Sequence, residues 1–263
     1  MGYQPAGRDQ LAAAFGHPGV AAAYQHRPPY PPEVFDILEQ IIADRPRRVL
    51  DLGAGEGALA RPLAGRVDQV DALDISAAMV EAGRGRPGGG RPNLRWIVGA
   101  AQTAELGGPY ALVTAGASRH WMPWAPTLAR LATAMTDHAV LAIVEHGPHD
   151  LPWRTELAEV IARHSRSSRY DPSFWLPDAL SAEGLLEITG RATTAPVTFR
   201  QPVPSHVEQL HSTASLAREW MAAEESAAFD RAVIGIVAPY AVGGVLEMDV
   251  VAYLAWGRPA TKT

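Results

Sequence analysis

Strands alternate with helical stretches through the first half of this chain, a glycine-rich turn follows the first strand, and an acid closes the second. These observations predict an α/β fold: a Rossmann-like, doubly wound, mostly parallel sheet of seven strands with a helical cap. The strands are short β-rich runs: Arg48–Leu52, Gln69–Asp74, Leu94–Val98, Tyr110–Ala115 and Ala139–Glu145. Helices are expected between them. Gly57–Ala64 follows the first turn. Ser76–Ala82 follows the second strand, with Ser76 as N-cap because its hydroxyl accepts from an amide of the first turn. Ala125–Thr136 carries Leu128, Leu131 and Met135 at helical spacing, and Pro126 falls in the first turn, where a missing amide hydrogen costs little. Ahead of the first strand, Pro32–Ala43 shows an apolar stripe of Val34, Ile37, Leu38, Ile41 and Ile42.

The second half is less regular. Trp153–Arg163 reads as helix, Arg166–Pro177 as irregular and aromatic, Ser181–Leu186 as a short helix and Thr193–Phe199 as a strand. Ser205–Tyr240 is mostly helical, and Val245–Trp256 is a closing strand. The helical stretch before that strand is about 35 residues, longer than an ordinary connection. The expected organisation is an N-terminal flap over 1–31, a core over 32–150 and cap elements over 151–244 with one sheet strand near 193–199. A closing strand over 245–256 and a tail over 257–263 complete it. The Gly83–Pro92 loop (GRGRPGGGRP) reads as a solvated connection, with an anion site as the alternative.

Composition narrows the function. At 263 residues the chain is long enough for one well-buried core. Its net charge of -5 offers no broad cationic face, so a nucleic-acid partner is not expected. The absence of cysteine excludes a disulfide framework, a thiolate nucleophile and a zinc–thiolate site. Residues 1–19 lack a cationic start followed by an apolar run, and no apolar stretch reaches bilayer length, so a cytoplasmic location without membrane contact is expected.

The segment Val49-Leu50-Asp51-Leu52-Gly53-Ala54-Gly55-Glu56-Gly57 carries the most chemistry. Glycines let a backbone turn sharply and approach a ligand closely, and a following helix would present free amides. A dinucleotide fingerprint would need glycine at position 58, where Ala58 stands. Asp51 is unfavourable beside a pyrophosphate and suited to a cationic amino-acid group, the charge type of S-adenosylmethionine. Asp74, at the end of the second strand, is placed to accept both ribose hydroxyls. A structural glycine turn and a helix-capping acid are the plainer readings.

With these motifs the chain resembles the class I S-adenosylmethionine-dependent methyltransferases, particularly the small-molecule branch that includes trans-aconitate methyltransferases. The resemblance covers about residues 20 to 256. Asp51, Gly53, Ala54 and Gly55 match the family's first motif, and Asp74, followed by Ile75, matches the ribose-binding acid. Gly99-Ala100-Ala101-Gln102 is similar to the segment lining the adenine, which implies Ala101 and Gln102 at the base. Ala115-Gly116-Ala117 resembles the segment facing the methionine moiety. Tyr24-Gln25-His26-Arg27-Pro28-Pro29-Tyr30-Pro31 is similar to an element of this branch. It implies a flap over the cofactor, with Tyr24 and Arg27 as contacts, and a cap over the active site. A surface-packed proline-rich loop is the alternative.

Methyl transfer from a sulfonium needs the acceptor held in line, and a base only where the acceptor must lose a proton. His120, just after the fourth strand, is the candidate base, since histidine titrates near neutrality. Tyr30, Arg119, Trp121, Trp175 and His211 are candidate substrate contacts, with Trp124, Phe174 and Trp220 as further wall or core residues. Arg163, Arg166 and Arg169 are candidates for a substrate carboxylate or a solvated face. His146-Gly147-Pro148-His149-Asp150 is not expected to hold a metal, because Pro148 breaks the helix that would align its histidines. The expected function is methylation of a small molecule, on oxygen, in specialised metabolism. The alternatives are a non-methylating enzyme of the same fold, a nicotinamide-dependent oxidoreductase and a non-catalytic ligand-binding module.

Overall fold

The structure is a computed structural model that describes residues 17–117, 122–167 and 174–260. Its strands are β1 (Arg48–Leu52), β2 (Gln69–Asp74), β3 (Leu94–Val98), β4 (Tyr110–Gly116), β5 (Met135–His149), β6 (Leu186–Thr193), β7 (Val197–Pro202) and β8 (Val245–Pro259). Its α-helices are α1 (Pro18–Ala23), α2 (Glu33–Gln40), α3 (Ala60–Leu63), α4 (Ala77–Gly85), α5 (Trp124–Ala134), α6 (Arg154–His164), α7 (Leu176–Ala182), α8 (Val203–His211) and α9 (Ala223–Val237). The sheet order is β3-β2-β1-β4-β5-β8-β6, with β7 paired to β8. Strands β1 to β5 run parallel where they neighbour one another, and β6 and β7 are antiparallel to β8.

The chain divides into two compact units. The sheet unit comprises Tyr30–His146, Ser173–Ala195 and Ala252–Thr263; the helical unit comprises Met1–Pro29, Gly147–Pro172 and Pro196–Val251. In the sheet unit the central strands are apolar on both faces, as a parallel sheet covered on both sides requires. Val49 pairs with Val70 and Leu112, and all three enter the core beneath Val34 and Leu38 of α2. The next residue, Leu50, pairs with Val113 and turns to the opposite core, with Leu128 and Leu131 of α5. The two-residue period of the strand thus divides one run of apolar residues between two cores. In the helical unit Phe229, Val233 and Val237 form a stripe along α9. They share a core with Leu157 and Val160 of α6, Val207 of α8, and Leu246 and Met248.

Several expectations are corrected. Seven strands, the number expected, form the path β3-β2-β1-β4-β5-β8-β6, and β7 adds an eighth beside β8. The single strand expected at Thr193–Phe199 straddles a break between β6 and β7, where Thr194 instead bonds its own amide to Ala252 O (3.0 Å) and accepts from the Ala252 amide (3.0 Å). The segment 174–195, expected in the cap, packs with the sheet, since Leu176, Leu180 and Leu186 complete its second core. The helix expected at Ser181–Leu186 lies earlier, at α7, and β8 runs to Pro259 through the start of the expected tail. The helix after the glycine turn is one turn long, because residues 54–59 form the turn itself.

Candidate cofactor site

The site grows from the carboxyl ends of β1 and β2. Gly55 has φ 56° with open space where a Cβ would stand, so backbone conformation alone requires glycine there. Gly57 has φ 79°, and a Cβ would lie 2.5 Å from the Trp96 ring, so conformation and space both exclude a side chain. The turn is laced to the end of β2. The Ala54 amide donates to Leu73 O (3.0 Å), and the Gly55 amide donates to Asp74 Oδ2 (2.8 Å). Asp74 Oδ1 accepts from the Ser76 amide (2.7 Å), while Ser76 caps α4 by accepting from the Met79 amide (3.2 Å).

Asp51 is 1% exposed. The Thr114 hydroxyl donates to its Oδ1 (2.8 Å), and the Ala60 amide also donates to it. Burial outweighs both donors and pushes its carboxyl up to about 7, with the Asp74 charge adding to the rise. Burial likewise raises Asp74, against the Ser76 and Gly55 amides. Among the described residues neither acid forms an ion pair with a basic side chain.

Ile75 and Val98, at the ends of β2 and β3, are 61% and 52% exposed. They flank the turn holding Ala101 and Gln102, where the Thr103 and Ala104 amides both donate to Ala100 O. Tyr30 is buried at the carboxyl ends of β4 and β5, its hydroxyl against Gly116 and its ring 3.8 Å from the His146 ring, centre to centre. Ala115 is buried in the core, so only its backbone is available to a ligand. A cleft of about 400 Å³ lined by Leu106, Gly108, Pro109, Arg130, Thr133 and Ala134 lies at the amino end of β4, away from the glycine turn.

Other sequence-derived candidates fall elsewhere. His120, Arg119, Trp121 and Arg169 lie outside the described residues. Tyr24 and Arg27 belong to the helical unit, where the guanidinium stacks 4.0 Å from the Tyr24 ring centre and donates to Ser212 Oγ (2.8 Å) and Ser212 O (3.1 Å). His211 is corrected as a substrate contact. It is 2% exposed, and its ring nitrogens face Leu216 O and Asp230 Oδ1, both at 2.7 Å. Trp124 is a core residue, and Trp175 is part-buried at the N-cap of α7. Arg163 donates to Glu159 O, and Arg166 to Glu225 and Trp220 O, so internal partners occupy both. Among the described residues no group of three or more His, Cys, Asp or Glu is placed to hold a metal.

Sequence reasoning missed three supports of the turn. Thr114 is one, visible only once β1 and β4 pair. Glu56 is another; its carboxylate accepts from Arg86 Nε (3.0 Å). Trp96 is the third, its indole donating to Gly89 O (2.9 Å). The Gly/Arg loop is exposed over most of its length, as a solvated connection would be, and also buttresses the glycine turn through Arg86 and Gly89.

A glycine turn after β1, an acid at the end of β2 and a parallel sheet around them define a Rossmann-like fold of the kind that binds nucleotide cofactors. Residues 49–138 match the family model of the methyltransferase domain. The chain is 32% identical over 158 residues to an uncharacterised methyltransferase of Mycobacterium tuberculosis, across 59% of this chain and 62% of that protein. It is 36% identical over 121 residues to a trans-aconitate 2-methyltransferase of a Mycobacterium species, across 45% of each. The match thus spans about half to three fifths of these relatives. Solved structures share the fold. One is an S-adenosylmethionine-dependent methyltransferase from Thiobacillus denitrificans with S-adenosylhomocysteine bound (TM-score 0.53, 18% identity, 91% of this chain and 97% of that one). Another is a counterpart from Geobacter sulfurreducens with the same ligand (TM-score 0.53, 17% identity, 95% and 98%). Residues 49–138 are thus similar to a methyltransferase domain, and the fold around them is one that solved methyltransferases share. Among the described residues no helix is long and apolar enough to cross a membrane.

Proposed function

We propose that the protein is an S-adenosylmethionine-dependent methyltransferase acting on a small molecule, with oxygen as the acceptor atom, in cytoplasmic specialised metabolism. One observation carries the cofactor reading. Asp51 and Asp74 are held at the glycine turn with no basic partner among the described residues, at an electrostatic cost that a cationic ligand offsets. S-adenosylmethionine supplies a sulfonium-activated methyl group and, with it, the positive charge this edge lacks. In this reading Asp51 faces the amino-acid end, Asp74 takes the ribose hydroxyls, and Ile75, Ala101 and Gln102 flank the base. Gly53, Ala54, Gly55 and the backbone at Ala115 shape the floor.

The trans-aconitate 2-methyltransferase relatives support a small acceptor. Tyr30, buried beside Gly116 at the carboxyl end of β4, supports an acceptor wall there. His120 is the proposed base, and Tyr24 and Arg27 the proposed flap contacts. The test has two parts. Calorimetry is expected to give saturable heat with S-adenosylmethionine and with S-adenosylhomocysteine. Mass spectrometry of a panel of small hydroxyl and carboxyl compounds is expected to show a gain of one methyl in an enzyme- and cofactor-dependent product. A folded protein that binds neither cofactor form overturns the reading.

A further inference from the structure

We propose that Arg130, on α5, is a positioning residue that fixes the base-recognition turn carrying Gln102. The inference rests on the cofactor reading above and extends it to a residue in a different helix.

The turn after β3 is a single coil. The Thr103 amide (3.0 Å) and the Ala104 amide (2.8 Å) both donate to Ala100 O, and the Gly99 amide donates to Asp74 O (2.9 Å). A coil this short leaves the carbonyls at its far end without partners in the coil. Arg130 supplies them. Its Nη1 donates to Ala101 O (3.0 Å) and its Nη2 to Ala104 O (2.7 Å), across sequence separations of 29 and 26. Gln102 lies between the two anchored carbonyls. On its other side the coil is packed closely, since a Cβ at Gly99 would stand 3.0 Å from Ala104 Cβ. Among the described residues no carboxylate forms an ion pair with Arg130, and its guanidinium donates to this turn from both terminal nitrogens. A planar fork reaching two carbonyls fixes both position and rotation of the backbone between them, which a single ammonium cannot do. The Gln102 amide then meets the base edge already oriented, and the ordering cost is removed from binding.

A double-mutant cycle on the full chain tests this, read by calorimetry with S-adenosylhomocysteine and by steady-state kinetics with S-adenosylmethionine. Arg130→Met is expected to weaken S-adenosylhomocysteine binding about tenfold. It is expected to raise KM for the cofactor with kcat unchanged. In a Gln102→Ala background the same substitution is expected to change affinity less than about twofold, because the group it positions is gone. Arg130→Lys, which keeps the charge but gathers its donors on a single nitrogen, is expected to fall between Met and wild type and serves as the readout if the Met variant fails to fold. An equal loss in both backgrounds, or a Lys variant as tight as wild type, overturns the role. A wild-type protein that gives no heat with S-adenosylhomocysteine overturns the cofactor reading itself.

Discussion

The sheet unit and the helical unit both hold acids within hydrogen-bond networks, and they partner them differently. In the helical unit Asp230 accepts from Arg218 (2.9 Å) and lies 2.7 Å from His211 Nε2, while Glu208 accepts from the same arginine (2.6 Å). In the sheet unit Asp51 and Asp74, among the described residues, accept hydrogen bonds from a hydroxyl and from backbone amides and from no basic side chain. The fold can pair acids within the sheet as well. Asp71, on β2 like Asp74, receives two bonds from Arg95 and one from the Tyr110 hydroxyl, and these hold its carboxyl below the usual range despite burial. Asp51 and Asp74, which have no basic partner among the described residues, both lie at the carboxyl edge of the strands, the edge that open α/β sheets use for ligands. Pairing serves the fold; its absence there leaves charge for a ligand.

The largest effect expected from this contrast is at Asp51. Its carboxyl lies at about 7 in the folded protein, above the unfolded value of 3.8. A raised carboxylate favours the protonated form, so its contribution to stability is full below about pH 4 and is lost as pH rises to 7. The loss amounts to about 4 kcal/mol. Asp51→Asn is expected to flatten that slope in chemical denaturation while weakening S-adenosylmethionine binding about 100-fold, through the loss of a buried charge opposite a cation. A variant that keeps both the slope and the affinity would remove Asp51 from the site.

The helical unit is expected to respond to pH in the opposite sense. His206 is 2% exposed, with Nδ1 3.0 Å from Gln201 Oε1, and burial lowers it to about 4 from 6.5. A depressed histidine stabilises the fold above about pH 6.5, and this is lost as pH falls to 4, by about 3 kcal/mol. Hydrogen exchange at pH 5 and pH 7.5 separates the units. Protection along α8 and α9 is expected to fall at the lower pH, and His206→Gln is expected to abolish that fall. Equal changes in both units would show that the titrating group is not His206.

The two units also differ in how legible they were. Strands β1, β2, β4 and the middle of β5 were readable because parallel strands buried on both faces are continuous apolar runs; β3, at the sheet edge with Arg95 and Val98 exposed, was read from its β-rich composition. Strand β6 was not. Its burial alternates along Leu186–Thr193, so half of its residues are polar and the run does not stand out. The cofactor acids were legible because they belong to one local motif. Thr114, Trp96 and Arg130 were not, because each reaches its partner through tertiary contact, 63 residues away for Thr114 and Asp51. His211 was misplaced for the converse reason: a helix sequence does not tell which polar residue turns inward, and here a half-buried acid on α9 and a carbonyl take both ring nitrogens.

The smallest expected effect is at Asp71, and it completes the contrast along β2. Asp71→Asn leaves Arg95 with one acceptor oxygen instead of two and sets an amide against the Tyr110 hydroxyl or the guanidinium. Arg95 is half exposed, so solvent takes up part of the loss, and the expected destabilisation is about 2 kcal/mol rather than that of a fully buried pair. The carboxylate is held low in the folded state, so its contribution is present above the unfolded value and is lost as pH falls below it. Urea denaturation at pH 7 is therefore expected to separate the two aspartate variants, with Asp71→Asn less stable than wild type and Asp51→Asn no less stable. Calorimetry is expected to rank them in reverse, with cofactor affinity within about twofold of wild type for Asp71→Asn, because that acid already has its cation. If both variants lose stability and affinity together, the division between acids that hold the sheet and acids that await a ligand does not exist in this protein.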